Sequence, residues 1–137
     1  MAPLLSRSLP PLLVAVHVVL LVWAVVGLVE WCSPTVPWPR VSNLLFPRWL
    51  LLWHWLAVLL AAVIFLVGFF ARWTFTPKAM VAAYSLMALV CVVETFWFLT
   101  HPWRFAAMAL EFLAYVAISL ALHRMPRLTA RFAGKNS

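Results

Sequence analysis

Apolar residues run almost unbroken along four stretches of this chain, and polar residues gather in the short gaps between them. The stretches extend from about Leu9 to Trp31, Arg48 to Ala71, Pro77 to Thr100 and Pro102 to Arg124. Each approaches or exceeds the run of about 20 apolar residues that a helix needs to cross a bilayer core. Proline punctuates the pattern. Pro10 and Pro11, Pro47, Pro77 and Pro102 stand near the starts of the runs, where a missing backbone N–H is tolerated. "CSPTVPWPR", with Pro34, Pro37 and Pro39, reads as the one sizeable irregular loop, and Pro126 stops the fourth helix. "ARWTFTPK" and "HPW" are short links. Links this short make neighbouring helices antiparallel, so the pattern predicts an all-α membrane protein, an up-down bundle of four transmembrane helices.

Composition strengthens this reading. With 67% hydrophobic and 9% charged residues, a chain of 137 residues has far more apolar surface than a water-soluble core can use. Its mean hydropathy is +1.05. Residues 1–124 are expected to form a single membrane domain without internal repeats, and residues 125–137 a basic tail. The first apolar run is longer than a signal-peptide core, and no small-x-small cleavage site precedes Trp31, so it is kept as a spanning helix.

Charge sets the expected orientation. Arg7, Arg72, Lys78, Arg124, Arg127, Arg131 and Lys135 fall on one side, and Arg40, Arg48 and Arg104 on the other. Basic flanks favour the cytoplasm, so both termini are expected there. The net charge of +7 is then mainly an orienting signal rather than a nucleic-acid footprint, and the tail has no aromatic platform beyond Phe132. Anionic lipid headgroups are the natural partners of that tail. Of nine tryptophans, Trp31, Trp38, Trp49, Trp53, Trp55, Trp97 and Trp103 fall in or near the outer part. An interfacial aromatic belt explains Trp31, Trp49 and Trp103. Trp53, Trp55 and Trp97 lie deeper and require packing or a pocket wall.

Three polar residues interrupt the spans at matching depth. Glu94 is seven residues from His101, His54 six from Arg48, and Glu111 eight from Trp103. At 1.5 Å per residue each lies roughly 9–12 Å below the outer interface. His54 shares its helix face with Ala57, Val58 and Ala61, and Glu111 with Ala107, Ala114, Tyr115 and Ile118, faces suited to close helix contact. Glu94 shares its face with Val90, Cys91, Trp97, Phe98 and His101. Ionisable groups inside a span turn inward and pair, because facing lipid while charged costs roughly 2.5–3.5 kcal/mol. The candidate cluster is therefore His54, Glu94 and Glu111, with Trp53, Trp97 and Tyr115 as walls or further partners. It reads either as hydrogen-bonded glue between helices or as a ligand or proton site.

Other chemistry has less support. The carboxylate di-metal pattern of Glu-x-x-His on one helix is missing, and His17 and His54 stand at different depths, which does not provide an axial pair for haem. Whether the chain holds a cofactor is left open by the sequence. Glu30 reads as a solvated interfacial carboxylate and His101 as a cap for the third helix. Cys32 and Cys91 lie at different depths, so a disulfide between them is not expected. No nucleophile–base set or phosphate-binding glycine loop is present, and the chain has only three glycines.

The stretch "RWTFTPKAMVAAYS" is similar to the W-x-x-T-P…Y-S opening of a helix in EXPERA-type four-helix proteins, a family of sterol isomerases and sterol-binding membrane proteins. Glu30 adds a second echo. The similarity covers little more than a tenth of the chain and lacks the acidic residue of the family's second helix, where this sequence has only His54. What the resemblance implies is a stand-alone pocket protein that binds or isomerises a hydrophobic, sterol-like molecule. The absence of catalytic motifs and of soluble mass points instead to a small non-catalytic accessory subunit of a larger membrane protein complex, packing against partner helices among membrane lipids.

Overall fold

A computed structural model describes the backbone of residues 2–33 and 41–133 and the side chains of residues 8–33 and 41–133. Most of the proline-rich loop, including Pro34, Pro37, Trp38, Pro39 and Arg40, lies outside these residues, as does Lys135; Arg7 is described in backbone only. The described residues form five helices and no strand. These are α1 (Ala2–Cys32), α2 (Arg48–Ala71), α3 (Thr76–Val93), α4 (Arg104–Arg124) and α5 (Pro126–Phe132), and a π-helical turn, Glu94–Phe98, prolongs α3. Four of them, with α3 extended to Phe98, are long and apolar enough to cross a membrane, which marks a multi-pass membrane protein.

The ends of these helices differ from expectation in four places. α1 begins at Ala2, so Pro10 and Pro11 lie inside it rather than in its first turn. They forgo backbone bonds to the Ser6 and Arg7 carbonyls, and the helix runs through that gap. The third helix ends at Phe98 instead of Thr100, and Leu99 is extended, with φ −77° and ψ 131°. The fourth opens at Arg104 rather than Pro102, after a tight turn in which Arg104 N–H donates to the His101 carbonyl at 3.1 Å. Finally, the basic tail contains a helix. Pro126 forces Met125 into an extended conformation (φ −80°, ψ 121°), which ends α4, and then supplies the first-turn proline of α5.

Close approach is set by two glycines. A Cβ at Gly27 of α1 would fall 2.1 Å from the Trp55 ring of α2, so the indole occupies the space that this glycine leaves open. Gly68 does the same for Thr76, whose Oγ1 would lie 2.1 Å from an added Cβ. That contact closes the α2–α3 turn, in which Arg72 takes the left-handed conformation at φ 56° and the Thr76 hydroxyl donates to the Trp73 carbonyl at 2.8 Å. Around these points Ala24, Trp55, Ala61, Phe65 and Met80 are buried almost completely. α2 packs on both α1 and α3, while α4 rests on α3. α5 folds back so that Leu128 and Phe132 are buried, Phe132 meeting the edge of Phe69 on α2. Arg131 lies over the Phe69 ring at 4.0 Å and donates through Nε to the Phe69 carbonyl at 3.0 Å.

Cover is uneven. Of the most apolar 18 residues of α2, 39% are buried within the chain, against 6% for α4. Leu122 is the one buried side chain of α4.

Candidate functional site

The polar centre lies where the N-terminal half of α2 meets the end of α3. His54 sits one position before the buried Trp55, on the side of α2 that continues through Ala57, Val58 and Ala61, all buried. Glu94 opens the π-helical turn, and the backbone there widens so that Leu99 N–H donates to the Glu94 carbonyl, five residues back, at 2.8 Å. The two side chains meet with His54 Nδ1 2.7 Å from Glu94 Oε1. Glu94 is buried and His54 half-buried, its ring edge-on to Trp55 at 4.6 Å. A neutral imidazole donating from Nδ1 and an imidazolium are both held by this geometry.

Beside the pair is a cavity of about 40 Å³ bounded by His54, Met87, Cys91, Glu94, Glu111 and Tyr115. Tyr115 donates its hydroxyl to Glu111 Oε2 at 3.2 Å, one turn along α4. Cys91 closes the wall from α3, with its Sγ 3.9 Å from the hydroxyl of the buried Thr95. Four of the six residues singled out in the sequence thus border one small space: His54, Glu94, Glu111 and Tyr115. Trp53 and Trp97 do not. Trp53 is exposed and borders a separate apolar groove with Leu56, Leu60 and Leu86, and Trp97, in the π-helical turn, is exposed. Glu94 follows Met87, Val90 and Cys91 at helical spacing on the buried face of α3, which aims it inward, while Trp97 within the π turn stays outside.

Glu111 is the exception among the three ionisable residues. It remains exposed, as do Ala107 and Ala114 on its face, while Tyr115 and Ile118 pack toward the core. The sequence placed all three at one depth but could not fix the rotation of α4.

A second polar link, between His17 of α1 and Tyr84 of α3, was not paired by the sequence reading. His17 is fully buried; its Nδ1–H donates to the Leu13 carbonyl at 2.7 Å, which leaves Nε2 to accept from the Tyr84 hydroxyl at 2.9 Å. The imidazole stacks on Phe65 at 3.8 Å, and Tyr84 stacks on Tyr115 at 5.1 Å. A depth count from the basic end would have matched them. His17 is nine residues from Ser8 and Tyr84 seven from Pro77, both roughly 10–14 Å in.

At the other end, Glu30 is not a free interfacial carboxylate. Its Oε2 accepts from the backbone N–H of Val41 and of Ser42, each at 3.0 Å, and pins the return of the loop. His101 caps the link rather than the helix, its Nδ1 accepting from Trp103 N–H at 3.2 Å, and the Arg104 guanidinium donates to the Leu99 carbonyl. Among the described residues, no three His, Cys, Asp or Glu side chains converge as a metal ion would require.

Between α3 and α4 runs an open groove of about 410 Å³, bordered by Val81, Tyr84, Ala88, Phe112, Tyr115 and Leu120 and by further residues toward His123. Tyr115 borders both this groove and the small polar cavity.

Comparison of the chain with models of known protein families, with curated proteins and with solved structures finds no match. Trp73, Thr76 and Pro77, which carry the resemblance to EXPERA proteins, here build the α2–α3 turn and the start of α3.

Proposed function

We propose that this chain is a small accessory subunit of a larger membrane protein complex, and that α4 is the face on which it meets its partners. Its four spans would stand up and down as a bundle, with both termini in the cytoplasm. The observation that carries this reading is α4 itself, a bilayer-length apolar helix with 6% of its most apolar stretch buried, on which Glu111 is exposed. Glu111 lies beside the same cavity as the His54–Glu94 pair, well inside the span. Facing lipid, a charge at such a depth costs roughly 2.5–3.5 kcal/mol, and a protein surface over α4 removes that cost. The distribution of Arg72, Lys78, Arg124, Arg127 and Arg131 against Arg48 and Arg104 supports the orientation.

Native mass spectrometry of the protein, extracted gently from its own membrane, tests this reading. Reproducible co-release of larger chains is the expected result. A lone chain overturns it.

The groove between α3 and α4 favours a second reading, in which the chain stands alone and binds a hydrophobic molecule. At about 410 Å³ the groove falls within the size range of small-molecule sites, and its walls are mostly apolar. A discrete small-molecule mass on a lone chain is the expected result there, lost in Ala88→Phe, which narrows the groove. Retention of that mass in the variant excludes the groove as its site.

A further inference from the structure

Glu111 makes no ion pair among the described residues. The Tyr115 hydroxyl gives its carboxylate one hydrogen bond, and the Cys91 thiol, a weak donor, faces it across the cavity. Neither brings a charge. His54, the base bordering the same cavity, is held by Glu94 at 2.7 Å. Arg104 begins the same helix seven residues earlier, roughly 10 Å along its axis. Its guanidinium is directed to the Leu99 carbonyl and over the Phe105 ring. Arg48 opens α2 and clasps Trp31, while Arg72, Lys78 and Arg124 lie at the far ends of their helices. The spans therefore contain no lysine or arginine at the level of Glu111.

The surface beside Glu111 suits a helix. Ala107 and Ala114, small residues exposed on the same face of α4, let a neighbouring backbone approach closely. A second copy of this chain supplies no cation at this depth, and a two-fold contact through α4 would bring Glu111 toward its own copy. Lipid headgroup cations stay at the interface, outside the reach of this level.

We propose that the exposed face of α4 around Ala107, Glu111 and Ala114 receives a transmembrane helix of a different chain carrying one lysine or arginine at the level of Glu111, the two forming an ion pair inside the membrane. This inference rests on the accessory-subunit reading and adds the chemistry of the partner.

The test uses a designed leucine-alanine helix of about 20 residues, with one lysine placed to match Glu111. It is expressed with the full chain, and association is read by energy transfer between fluorescent labels in the membrane. The expected result is association about tenfold stronger than for the same helix without lysine. Glu111→Gln should abolish the difference. Glu111→Lys should transfer the preference to a probe carrying glutamate. Ala114→Phe, which adds bulk beside the carboxylate and leaves it in place, should weaken association with the lysine probe. Equal association of the lysine and lysine-free probes, or a lysine preference that survives Glu111→Gln, overturns the proposal. Native mass spectrometry separates this failure from failure of the broader reading. Companion chains without lysine discrimination overturn only the partner chemistry, whereas a lone chain overturns the subunit assignment itself.

Discussion

Nδ1 of His54 lies 2.7 Å from Oε1 of Glu94 and ties the N-terminal half of α2 to the π-helical end of α3. Removing one member leaves the other polar group in an apolar setting, whereas removing both leaves none stranded. His54→Leu and Glu94→Leu should therefore each destabilise the fold by more than half of what the double variant loses. The expected coupling is about 0.5–2 kcal/mol in a double-mutant cycle of detergent-induced unfolding. Strict additivity would mean that the contact does not contribute to stability.

The Trp55 indole fills the place of a Cβ at Gly27. Gly27→Ala should displace the ring and cost about 1–3 kcal/mol, as overpacking in a filled core does. Trp55→Leu in the same chain should recover part of that loss. If Gly27→Ala unfolds like the wild type, α1 and α2 are not packed as described.

At the other polar link, Tyr84 supplies the proton that His17 Nε2 accepts. Tyr84→Phe keeps the ring against Tyr115 and removes the donor, leaving a buried nitrogen unsatisfied at a cost of about 1–3 kcal/mol. His17→Phe in the Tyr84→Phe background should restore stability, because it retains a ring for Phe65 to stack on and leaves no polar atom unpaired. Failure of that second change to restore stability would count against the bond.

α5 is anchored through Leu128 and Phe132 and through Arg131 on Phe69. Phe132→Ala should loosen this segment by up to about 3 kcal/mol. Limited digestion with trypsin reads the effect directly, as faster cleavage after Arg127 with the spans intact. Unchanged cleavage would show that α5 holds without its phenylalanine.

The sequence made the spans legible because bilayer thickness imposes one strong constraint, a long apolar run, and proline marked the starts of α2 and α3 and the end of α4. It was less informative where a local rule met a tertiary one. Pro126 announced the end of α4, yet the seven residues from Pro126 to Phe132 are helical because Leu128 and Phe132 find a core to enter. Depth counting brought His54, Glu94 and Glu111 to one level. It could not foresee that Trp97, within the π turn, would stay outside or that α4 would leave Glu111 uncovered, since depth along an axis says nothing about rotation around it. The His17–Tyr84 pair was missed for a simpler reason, because the count was taken from one end of the helices only.

The first two helices carry their fastenings close together along the chain. Glu30 holds the backbone of Val41 and Ser42, Trp31 Nε1 donates to the Arg48 carbonyl at 2.9 Å, and Trp55 lies in the space beside Gly27 while donating to the Ser42 hydroxyl. Every one of these closures joins residues between Gly27 and Trp55. A ribosome delivering this protein into a bilayer has thus supplied a complete, self-latching hairpin once α2 is inserted, before α3 begins to emerge. α4, which touches so little of its own chain, arrives at a platform already built.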